Sequence, residues 1–599
     1  MKAAGELCSR VALCGGVPTL YVNGAPFPAA AYMTYLEAYN DYAGFTAAGY
    51  RLFSLPVLFA GRWINAQVDG VPFHRGIFDN RDAPDYSALD ASVRAVLAAC
   101  PAAYIFPRLN LSMPLWWFPE HPDCTDGTGG RELLFTSAYR ETAAGMLRAV
   151  IRHIRQSDYA SHIVGYQLAG GNTEEWFHFD LNGGACENAV PAFNEYLKNN
   201  CPDCGFSGLP DLSLLQQPGP YHGDAHLETF LEFSNAEVAR TVALLCAVAK
   251  EETGGNQAVG TFYGYSLEVG SPLWGTHALR TLLEDGSVDF LCSPNSYIGT
   301  RDPHADWTEM YPADSVRLHG SLCMQECDIR THLTKPLWQA APEFDPEKRY
   351  TAPIWQGLAG PEESVSQLRK TFCRQLIKGN GFWWFDMWGG WYRDSVLYAE
   401  LQRMREVYAA SLSKTDRRSA AKLAVFADES AYRYLTDCGL RGFAFHARVP
   451  LGCMGAPYDV YDVCDFAKVY QKYAGVVFLS CVPTDAMRRA LSLCGRDGVK
   501  YISLSEEQPQ LSAAGLRDFC DACGVHVYCR TDDIIYANKN YLAVSATHAG
   551  EKTVFFEGVC AYRELLAAHG ASGVGETLTL HMRENETRLF ELAPLCADQ

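Results

Sequence analysis

The stretch GYQLAGGNTEEWFHFD, residues 165–180, begins as a short apolar strand and continues into Glu174, Glu175 and Trp176. Two adjacent carboxylates and an aromatic ring directly after a buried strand are typical of an enzyme site at the carboxyl edge of a parallel sheet. An ordinary acidic loop has the same composition. The surrounding sequence has to decide between these two interpretations.

Short β-rich apolar runs alternate with longer helical patterns through residues 1–415. The eight runs are YVNGAPFPAAAYM (21–33), YRLFSLPVLF (50–59), AAYIFPRLN (102–110), HIVGYQLAG (162–170), AVGTFYGY (258–265), VDFLCSP (288–294), LHGSLCMQE (318–326) and GFWWFDMW (381–388). The segments between them, such as residues 137–156, repeat apolar residues at intervals of three and four, which indicates helices. Eight strand–helix repeats predict an α/β fold, a (β/α)8 TIM barrel enlarged by loop insertions. An open doubly wound sheet is the alternative, but no glycine-rich phosphate loop follows the first strand.

Two smaller units follow this predicted barrel. Residues 419–525 alternate buried strands and helices, which predicts a small open α/β domain of the flavodoxin-like kind. Residues 526–599 alternate apolar and polar positions, which predicts a small antiparallel β-domain. We therefore divide the chain into a barrel (1–415), an α/β domain (419–525) and a C-terminal β-domain (526–599).

The composition limits the partners of the protein. The 599 residues carry 50 Lys+Arg and 69 Asp+Glu, a net charge of −19, so most of the surface repels a phosphate backbone. No Lys/Arg-rich run occurs, and we expect no nucleic-acid partner. No stretch of ~18 apolar residues predicts a membrane span, and the N-terminus lacks the apolar core of a signal peptide. We expect a cytoplasmic protein that does not bind membranes.

The 22 cysteines are scattered and mostly lie in apolar surroundings. Without an export signal, reduced thiols are the expected state. Cys124, Cys186, Cys201 and Cys204 fall in loops near the predicted site, where a structural zinc is the alternative to free thiols. No metal and no cofactor is expected at the site itself, because the 16 histidines form neither an HExxH helix nor an HxH pair after the first strand.

The ends of the predicted strands carry polar and aromatic residues. The residues concerned are Arg108, Asn110, Trp116, Asn172, Glu174, Glu175, Tyr263, Asn295, Tyr297, Glu326, Trp384 and Asp386. The fourth and seventh strands lie on different sides of a barrel, so Glu174 or Glu175 can face Glu326 across the opening. Two facing carboxylates are what the hydrolysis of a glycosidic bond requires, one as proton donor and one as nucleophile or base.

These residues resemble those of clan A glycoside hydrolases, and most closely those of family 42, the β-galactosidases. That family places its acid/base glutamate after the fourth strand, in a Trp-Gln-x-x-Asn-Glu run, and its nucleophile at the end of the seventh. Tyr166 and Gln167 match the first pair of the run, but the loop is longer and the Asn-Glu dipeptide is missing. The resemblance implies Glu326 as nucleophile and Glu175 as acid/base, with Glu174 the alternate. Glu174 then occupies the place of the sugar-binding asparagine.

The resemblance also implies an activity and an assembly. It implies a retaining, exo-acting, β-galactosidase-like β-glycosidase that works by double displacement on an oligosaccharide or glycoside, and a homotrimer. The residues expected to contact the sugar are Arg108, Asn110, Trp116, Asn172, Glu174, Tyr263, Asn295, Tyr297, Trp384 and Asp386. Two alternatives stay open at this point: a β-mannosidase of related architecture, and a non-catalytic carbohydrate-binding protein on a barrel scaffold.

Overall fold

The computed structural model describes residues 7–61, 75–126, 131–171, 174–177, 187–268, 271–297, 304–306, 309–348, 350–439, 447–479, 482–504, 511–567 and 569–594. The strands are β1 Ser9–Cys14, β2 Val17–Val22, β3 Ala25–Pro26, β4 Ala30–Met33, β5 Leu52–Leu58, β6 Tyr104–Asn110, β7 Gly165–Ala169, β8 Ala258–Phe262, β9 Phe290–Pro294, β10 Leu322–Cys327, β11 Gly381–Phe385, β12 Leu423–Ala427, β13 Tyr458–Asp462, β14 Gly475–Phe478, β15 Lys500–Ser503, β16 Ile534–Ala537, β17 Tyr541–Ser545, β18 Gly550–Glu564, β19 Ser572–Met582 and β20 Thr587–Pro594. The helices are α1 Tyr42–Ala47, α2 Ser87–Ala99, α3 Trp117–Glu120, α4 Ser137–Gln156, α5 Val190–Asn200, α6 Ala225–Glu252, α7 Leu279–Asp285, α8 Ala313–Leu318, α9 Leu337–Ala340, α10 Pro361–Lys378, α11 Ser395–Ser411, α12 Arg448–Gly452, α13 Phe466–Val469, α14 Asp485–Asp497 and α15 Ala513–Cys523.

Strands β4 to β11 form a closed barrel in which every neighbouring pair is parallel. They are the eight strands that the sequence predicts, and the TIM barrel is confirmed. All seven residues of β5 are buried, as expected for a parallel strand that is covered on both faces. The carboxyl ends of all eight strands open at one end of the barrel, called the mouth below.

Layers of side chains fill the barrel interior. The rings of Phe106 (β6) and Phe290 (β9) pack with centroids 5.1 Å apart. A Cβ on Gly260 (β8) would lie 2.2 Å from the Phe290 ring, so the absence of a side chain there makes room for this packing. Arg108 lies two residues beyond Phe106 on the same strand, and therefore on the same inner face, one layer nearer the mouth.

The N-terminus differs from the expectation for the first strand. Residues 21–22 belong to β2, and β1, β2 and β3 form an antiparallel sheet outside the barrel. The barrel strand is limited to Ala30–Met33. The reason is the Asn23-Gly24 turn, whose φ angles are 50° and 84°. This dipeptide favours a tight hairpin and joins β2 to β3 instead of leading into the barrel.

Two further sheets follow the barrel. Strands β12 to β15 form a parallel sheet in the order β13-β12-β14-β15, and β16 to β20 form an antiparallel sheet in the order β16-β17-β20-β18-β19. The small open α/β unit and the antiparallel β-unit predicted after the barrel are thus present. None of the helices in the described part of the chain is long and apolar enough to cross a membrane.

We predict that Asp224→Ala destabilises the protein by about 0.5–2 kcal/mol, because it removes an N-cap. The Asp224 side chain accepts a hydrogen bond of 2.7 Å from the Leu227 amide at the start of α6, the 28-residue helix that precedes β8. The measurement is the urea midpoint. Asp211→Ala is the control, since Asp211 caps only a short 3₁₀ turn. Equal midpoint shifts for the two variants would contradict the prediction.

Candidate active site

One guanidinium brings two glutamates together at the mouth of the barrel. Arg108 donates from Nη1 to Glu174 Oε2 at 2.9 Å and from Nη2 to Glu326 Oε2 at 3.0 Å. Arg108 is fully buried, and the two glutamates are 1% and 6% exposed. Two glutamates that are far apart in the sequence therefore meet on the two sides of a single planar fork.

Each of these glutamates receives a second hydrogen bond at the same oxygen. The Tyr35 hydroxyl donates to Glu174 Oε2 at 2.6 Å, and Trp383 Nε1 donates to Glu326 Oε2 at 3.2 Å. The guanidinium lies 4.7 Å from the ring centroid of Phe262 and 5.0 Å from that of Trp383. Aromatic faces attract a cation and exclude water, so Arg108 is held in a fixed orientation.

The electrostatics of the site follow from burial. Burial raises the pKa of Glu326 to about 7, although Arg108 lowers it, and the negative charge of Asp328 raises it further. Burial alone would lower the pKa of Arg108, but Glu174 and Glu326 overcome this and raise it above its ordinary value. Arg108 therefore stays charged, and Glu326 changes protonation near neutral pH.

Glu175 lies near Tyr265. The pKa of the Tyr265 phenol is raised well above its ordinary value, first by burial and then by the charge of Glu175, with a contribution from Glu326. Tyr265 is therefore close to both carboxylates. Glu175 is 8% exposed.

The residue after Glu175 anchors the segment. Trp176 is fully buried and donates from Nε1 to Thr261 Oγ1 at 3.0 Å. Glu174 and Trp176 both have positive φ, 71° and 64°, an uncommon conformation for residues with side chains. These two conformations let consecutive side chains project in different directions. Glu174 consequently contacts Arg108 while Glu175 lies near Tyr265.

Two predicted site residues position the strand ends. The Asn110 side chain accepts from the Ser112 amide at 3.1 Å and donates to the Gly171 carbonyl at 3.4 Å, which ties β6 to the segment after β7. The Asn295 amide donates to the Glu326 carbonyl at 3.1 Å. Both asparagines are buried beside the residues that carry the carboxylates.

Three predicted site residues are not brought to the Arg108 cluster. Trp384 donates from Nε1 to the Tyr50 hydroxyl at 2.8 Å, and the Tyr263 hydroxyl donates to the Gly275 carbonyl at 2.9 Å. Both lie one residue beyond inward-facing rings, Trp383 and Phe262, so strand alternation turns them towards the surrounding helices.

Asp386 is the third of these residues. It accepts hydrogen bonds from the Tyr32 hydroxyl at 2.8 Å and from the Gly390 and Trp391 amides at 2.9 Å each. It therefore fixes the turn after the last barrel strand. Burial raises the pKa of Asp386 to about 7.

The remaining predicted residues lie at the rim or outside the described residues. Trp116 is half-buried, donates to the Phe78 carbonyl at 2.7 Å and lies 5.5 Å from the Arg81 guanidinium. Tyr297 is 42% exposed, and its amide donates to Glu268 at 2.7 Å. Asn172 lies outside the described residues.

Sequence reasoning missed Tyr35 and Trp383 and did not select Tyr265 as a site residue. The signal for the first two is strand alternation. Trp383 pairs with Ala31 and Phe385 with Met33. Tyr35, two residues beyond Met33, continues the same inward-facing series.

The described residues contain no group of three or more His, Cys, Asp and Glu side chains that could hold a metal ion. Cys124, Cys201 and Cys204 are free thiols in this part of the chain, while Cys186 lies outside it. The zinc site considered as an alternative has no support among the three cysteines that are described.

The solved structures most similar to this chain are sugar-cleaving enzymes. The β-galactosidase of Bacillus circulans sp. alkalophilus matches with a TM-score of 0.61 and 13% identity, over 93% of this chain and 97% of its own. The β-galactosidase of the psychrophilic Marinomonas ef1 matches with 0.58 and 10%, over 94% and 99%. A GH42 exo-carrageenase from Bacteroides ovatus matches with 0.59 and 13%, over 98% and 84%.

The fold is that of family 42 glycoside hydrolases. The GH42 β-galactosidase Gan42B matches with a TM-score of 0.59 and 10% identity, over 92% of this chain and 95% of its own, so the shared fold includes the two units after the barrel. The resemblance found in the sequence is thereby confirmed at the level of fold. No family model and no curated protein matches the sequence.

We predict that Arg108→Met destabilises the protein by about 3–5 kcal/mol, because it leaves Glu174 and Glu326 buried without their shared cation. The measurement is the urea midpoint of unfolding, monitored by tryptophan fluorescence. Arg108→Met/Glu174→Gln removes one of the two carboxylates and should recover part of the loss.

Arg94→Met is the matched control for this prediction. Arg94 pairs with Asp158 at 3.4 Å on the surface, where both side chains are more than half exposed, so the variant should cost less than about 1 kcal/mol. If Arg108→Met lowers the free energy of unfolding no more than Arg94→Met does, the contact of Arg108 with Glu174 and Glu326 does not stabilise the barrel.

Proposed function

We propose that this protein is a retaining, exo-acting β-glycosidase of the β-galactosidase type. The observation that carries the proposal is the pair of carboxylates, Glu174 and Glu326, bridged by Arg108 at the mouth of a family 42 barrel, with Glu175 nearby. Glycosidic bond cleavage with retention needs a carboxylate nucleophile and a second carboxyl group ~5–5.5 Å from it. Glu174 and Glu175 follow β7 and Glu326 lies near the end of β10, so the carboxyl groups come from the ends of different strands, as in barrel enzymes.

Glu326 is the proposed nucleophile. Its Oε2 accepts from both Arg108 and Trp383, which leaves Oε1 for attack on the anomeric carbon. The two donors also hold the carboxylate plane and stabilise its negative charge. Attack forms a glycosyl-enzyme and breaks the bond to the leaving oxygen.

Glu175 is the proposed acid/base. Glu174 is the poorer candidate, because its Oε2 already accepts hydrogen bonds from Arg108 and from Tyr35 and is therefore occupied. Glu175 would protonate the leaving oxygen and then deprotonate the water that releases the sugar. Tyr265, near both Glu175 and Glu326, is placed to orient the reacting groups.

Glu174 is the proposed sugar-binding residue beside the nucleophile. Its Oε1 is buried and has no hydrogen-bond partner among the described residues. Such an oxygen is costly unless a donor reaches it, and a sugar hydroxyl can supply that donor. Asn110, Asn172, Trp116, Asn295 and Tyr297 remain proposed substrate contacts at the strand ends.

The proposal for the sugar rests on the β-galactosidases among the similar structures. A homotrimer and a cytoplasmic location complete the proposal, and the free thiols of the described residues fit a reducing compartment. Light scattering after size-exclusion chromatography tests the trimer, and a dimer or monomer would refute it.

Glutamine variants of the three glutamates test the catalytic roles on aryl β-galactoside, β-mannoside, β-glucoside and β-fucoside. We expect Glu326→Gln to lower kcat by on the order of 10³–10⁶-fold and Glu175→Gln by about 10²–10⁴-fold. Glu174→Gln keeps the shape of the side chain and leaves the proposed nucleophile and acid/base in place. Its loss of kcat should therefore be clearly smaller than that of Glu175→Gln.

The outcomes of this screen separate the alternatives. A larger loss of kcat in Glu174→Gln than in Glu175→Gln would assign the acid/base role to Glu174 and the sugar-binding role to Glu175. The fastest aryl glycoside identifies the sugar and decides between galactoside and mannoside. If the protein binds sugars but hydrolyses none of the four aryl glycosides, it is a carbohydrate-binding protein and not an enzyme.

The pH profile gives a separate prediction. Because the nucleophile must be ionised and the pKa of Glu326 is about 7, kcat/KM should rise with pH up to about 7. Asp328→Asn removes a negative charge that raises this pKa, so the acid limb should move to lower pH. Asp518→Asn, an exposed residue on α15 of the small α/β unit, is the control and should leave the limb in place. An acid limb at pH 4–5 in the unchanged protein would contradict the assignment.

A further inference from the structure

A cleft of about 590 Å³ lies at the end of the barrel opposite the mouth. Its walls include the residues just before β10 and β11, the β1–β2 hairpin, the start of the parallel sheet and the β16–β17 turn. The cleft thus borders on the N-terminal, the parallel and the antiparallel sheets and on helices α8 and α10 of the barrel. This volume is in the range of small-molecule sites.

The cleft is basic, although the chain has a net charge of −19. Two acidic residues, Asp314 and Asp459, line it. Seven basic residues line it: Arg317, Lys378, Arg417, Arg418, Lys422, Lys472 and Lys539. A concentration of positive charge in a concave site of an acidic protein attracts anions selectively.

Four of the seven cations have carboxylate partners. Arg317 pairs with Asp314 at 2.7 Å and with Glu309 at 2.9 Å, and Lys378 lies 3.5 Å from Asp459. Arg418 and Lys539 share Asp416, at 2.8 Å and 2.7 Å.

The other three cations are Arg417, Lys422 and Lys472, and none of them has a carboxylate partner in the described part of the chain. Asp459 cannot compensate them fully, because it already accepts from Ser419 and Tyr473 at 2.8 Å each. An excess of positive charge therefore remains in the cleft.

Arg417 is the distinctive member of this group. It is 4% exposed, yet its described side-chain partners are neutral, with Nη1 donating to Thr19 Oγ1 at 2.9 Å and weakly to the Cys14 carbonyl. Its backbone amide donates to the Gly15 carbonyl at 2.8 Å. A Cβ on Gly15 would lie 2.9 Å from the Arg417 side chain, so the hairpin is shaped around it. Burying a guanidinium without a counter-ion is costly, and a bound anion would remove that cost.

We propose that this cleft binds a small organic anion that carries a phosphate or sulfate ester, with Arg417, Lys422 and Lys472 as its charge partners. A tetrahedral anion can accept hydrogen bonds from a guanidinium fork and from ammonium groups that line the same cleft. The apolar side chains of Leu13, Val17 and Ile377 in the same walls suit the organic part. The site is separate from the glutamates at the mouth, and the proposal stands whether or not the protein is a glycosidase.

Calorimetric titration of the full chain tests this proposal, with glucose 6-phosphate and glucose 6-sulfate as probes, inorganic phosphate as the minimal anion and glucose as the uncharged control. We expect at least one ester to bind and glucose not to bind at this site. The affinity should fall as salt is added, since the contacts are ionic. A preference for glucose 6-phosphate or for glucose 6-sulfate shows whether the ligand is a phosphate ester or a sulfate ester. Ester binding should also raise the melting temperature, because the ester binds the folded chain and not the unfolded one.

Variants locate the binding. The double variant Lys422→Gln/Lys472→Gln should weaken binding of the ester at least about tenfold, and Arg417→Gln should have the same effect. Lys422 and Lys472 are exposed, so their double variant is informative even if Arg417→Gln fails to fold. Lys198→Gln, an exposed lysine at the end of α5, is the matched control and should leave binding unchanged. Failure of both esters to bind at millimolar concentration, or equal binding by the double lysine variant, would overturn the proposal.

Discussion

The contact between the Arg108 guanidinium and two buried carboxylates is the constraint on which the mouth of the barrel depends. Burying an arginine is least costly when its charge is matched, and burying two glutamates is least costly when a cation lies between them. The barrel meets both conditions with one residue from β6, one from the segment after β7 and one from β10. Their strand ends are thereby fixed relative to one another, and Glu175 and Tyr265 are placed around the same point.

The aromatic residues around this contact explain why it is stable in a nearly dry environment. Phe262 and Trp383 cover the guanidinium, and the Trp383 indole also donates to Glu326. The same burial that strengthens these hydrogen bonds raises the pKa of Glu326 to about 7. The stability of this contact and the raised pKa of Glu326 therefore have one physical origin.

Much of the fold was predictable from the sequence, because parallel buried strands are continuous apolar runs and leave a clear signal. Glu174, Glu175, Glu326 and Arg108 were predictable as strand-end residues for the same reason. The inward face of each strand was harder to choose. Trp383 and Trp384 are adjacent and chemically alike, and only the pairing with β4 decides which one faces the interior. The N-terminal sheet was missed because its Asn23-Gly24 turn lies within an apolar run that also contains the first barrel strand.

The anchoring of Trp176 has a consequence for loop length. Its indole is tied to Thr261 on the neighbouring strand and packs against Gly170, where a Cβ would lie 2.3 Å from the ring. The position of Glu175 is therefore dictated by the residue after it and not by the number of residues before it. Insertions or deletions between Gly171 and Glu174 can accumulate without displacing the proposed proton donor, which is consistent with a segment longer than the family 42 pattern at so central a place.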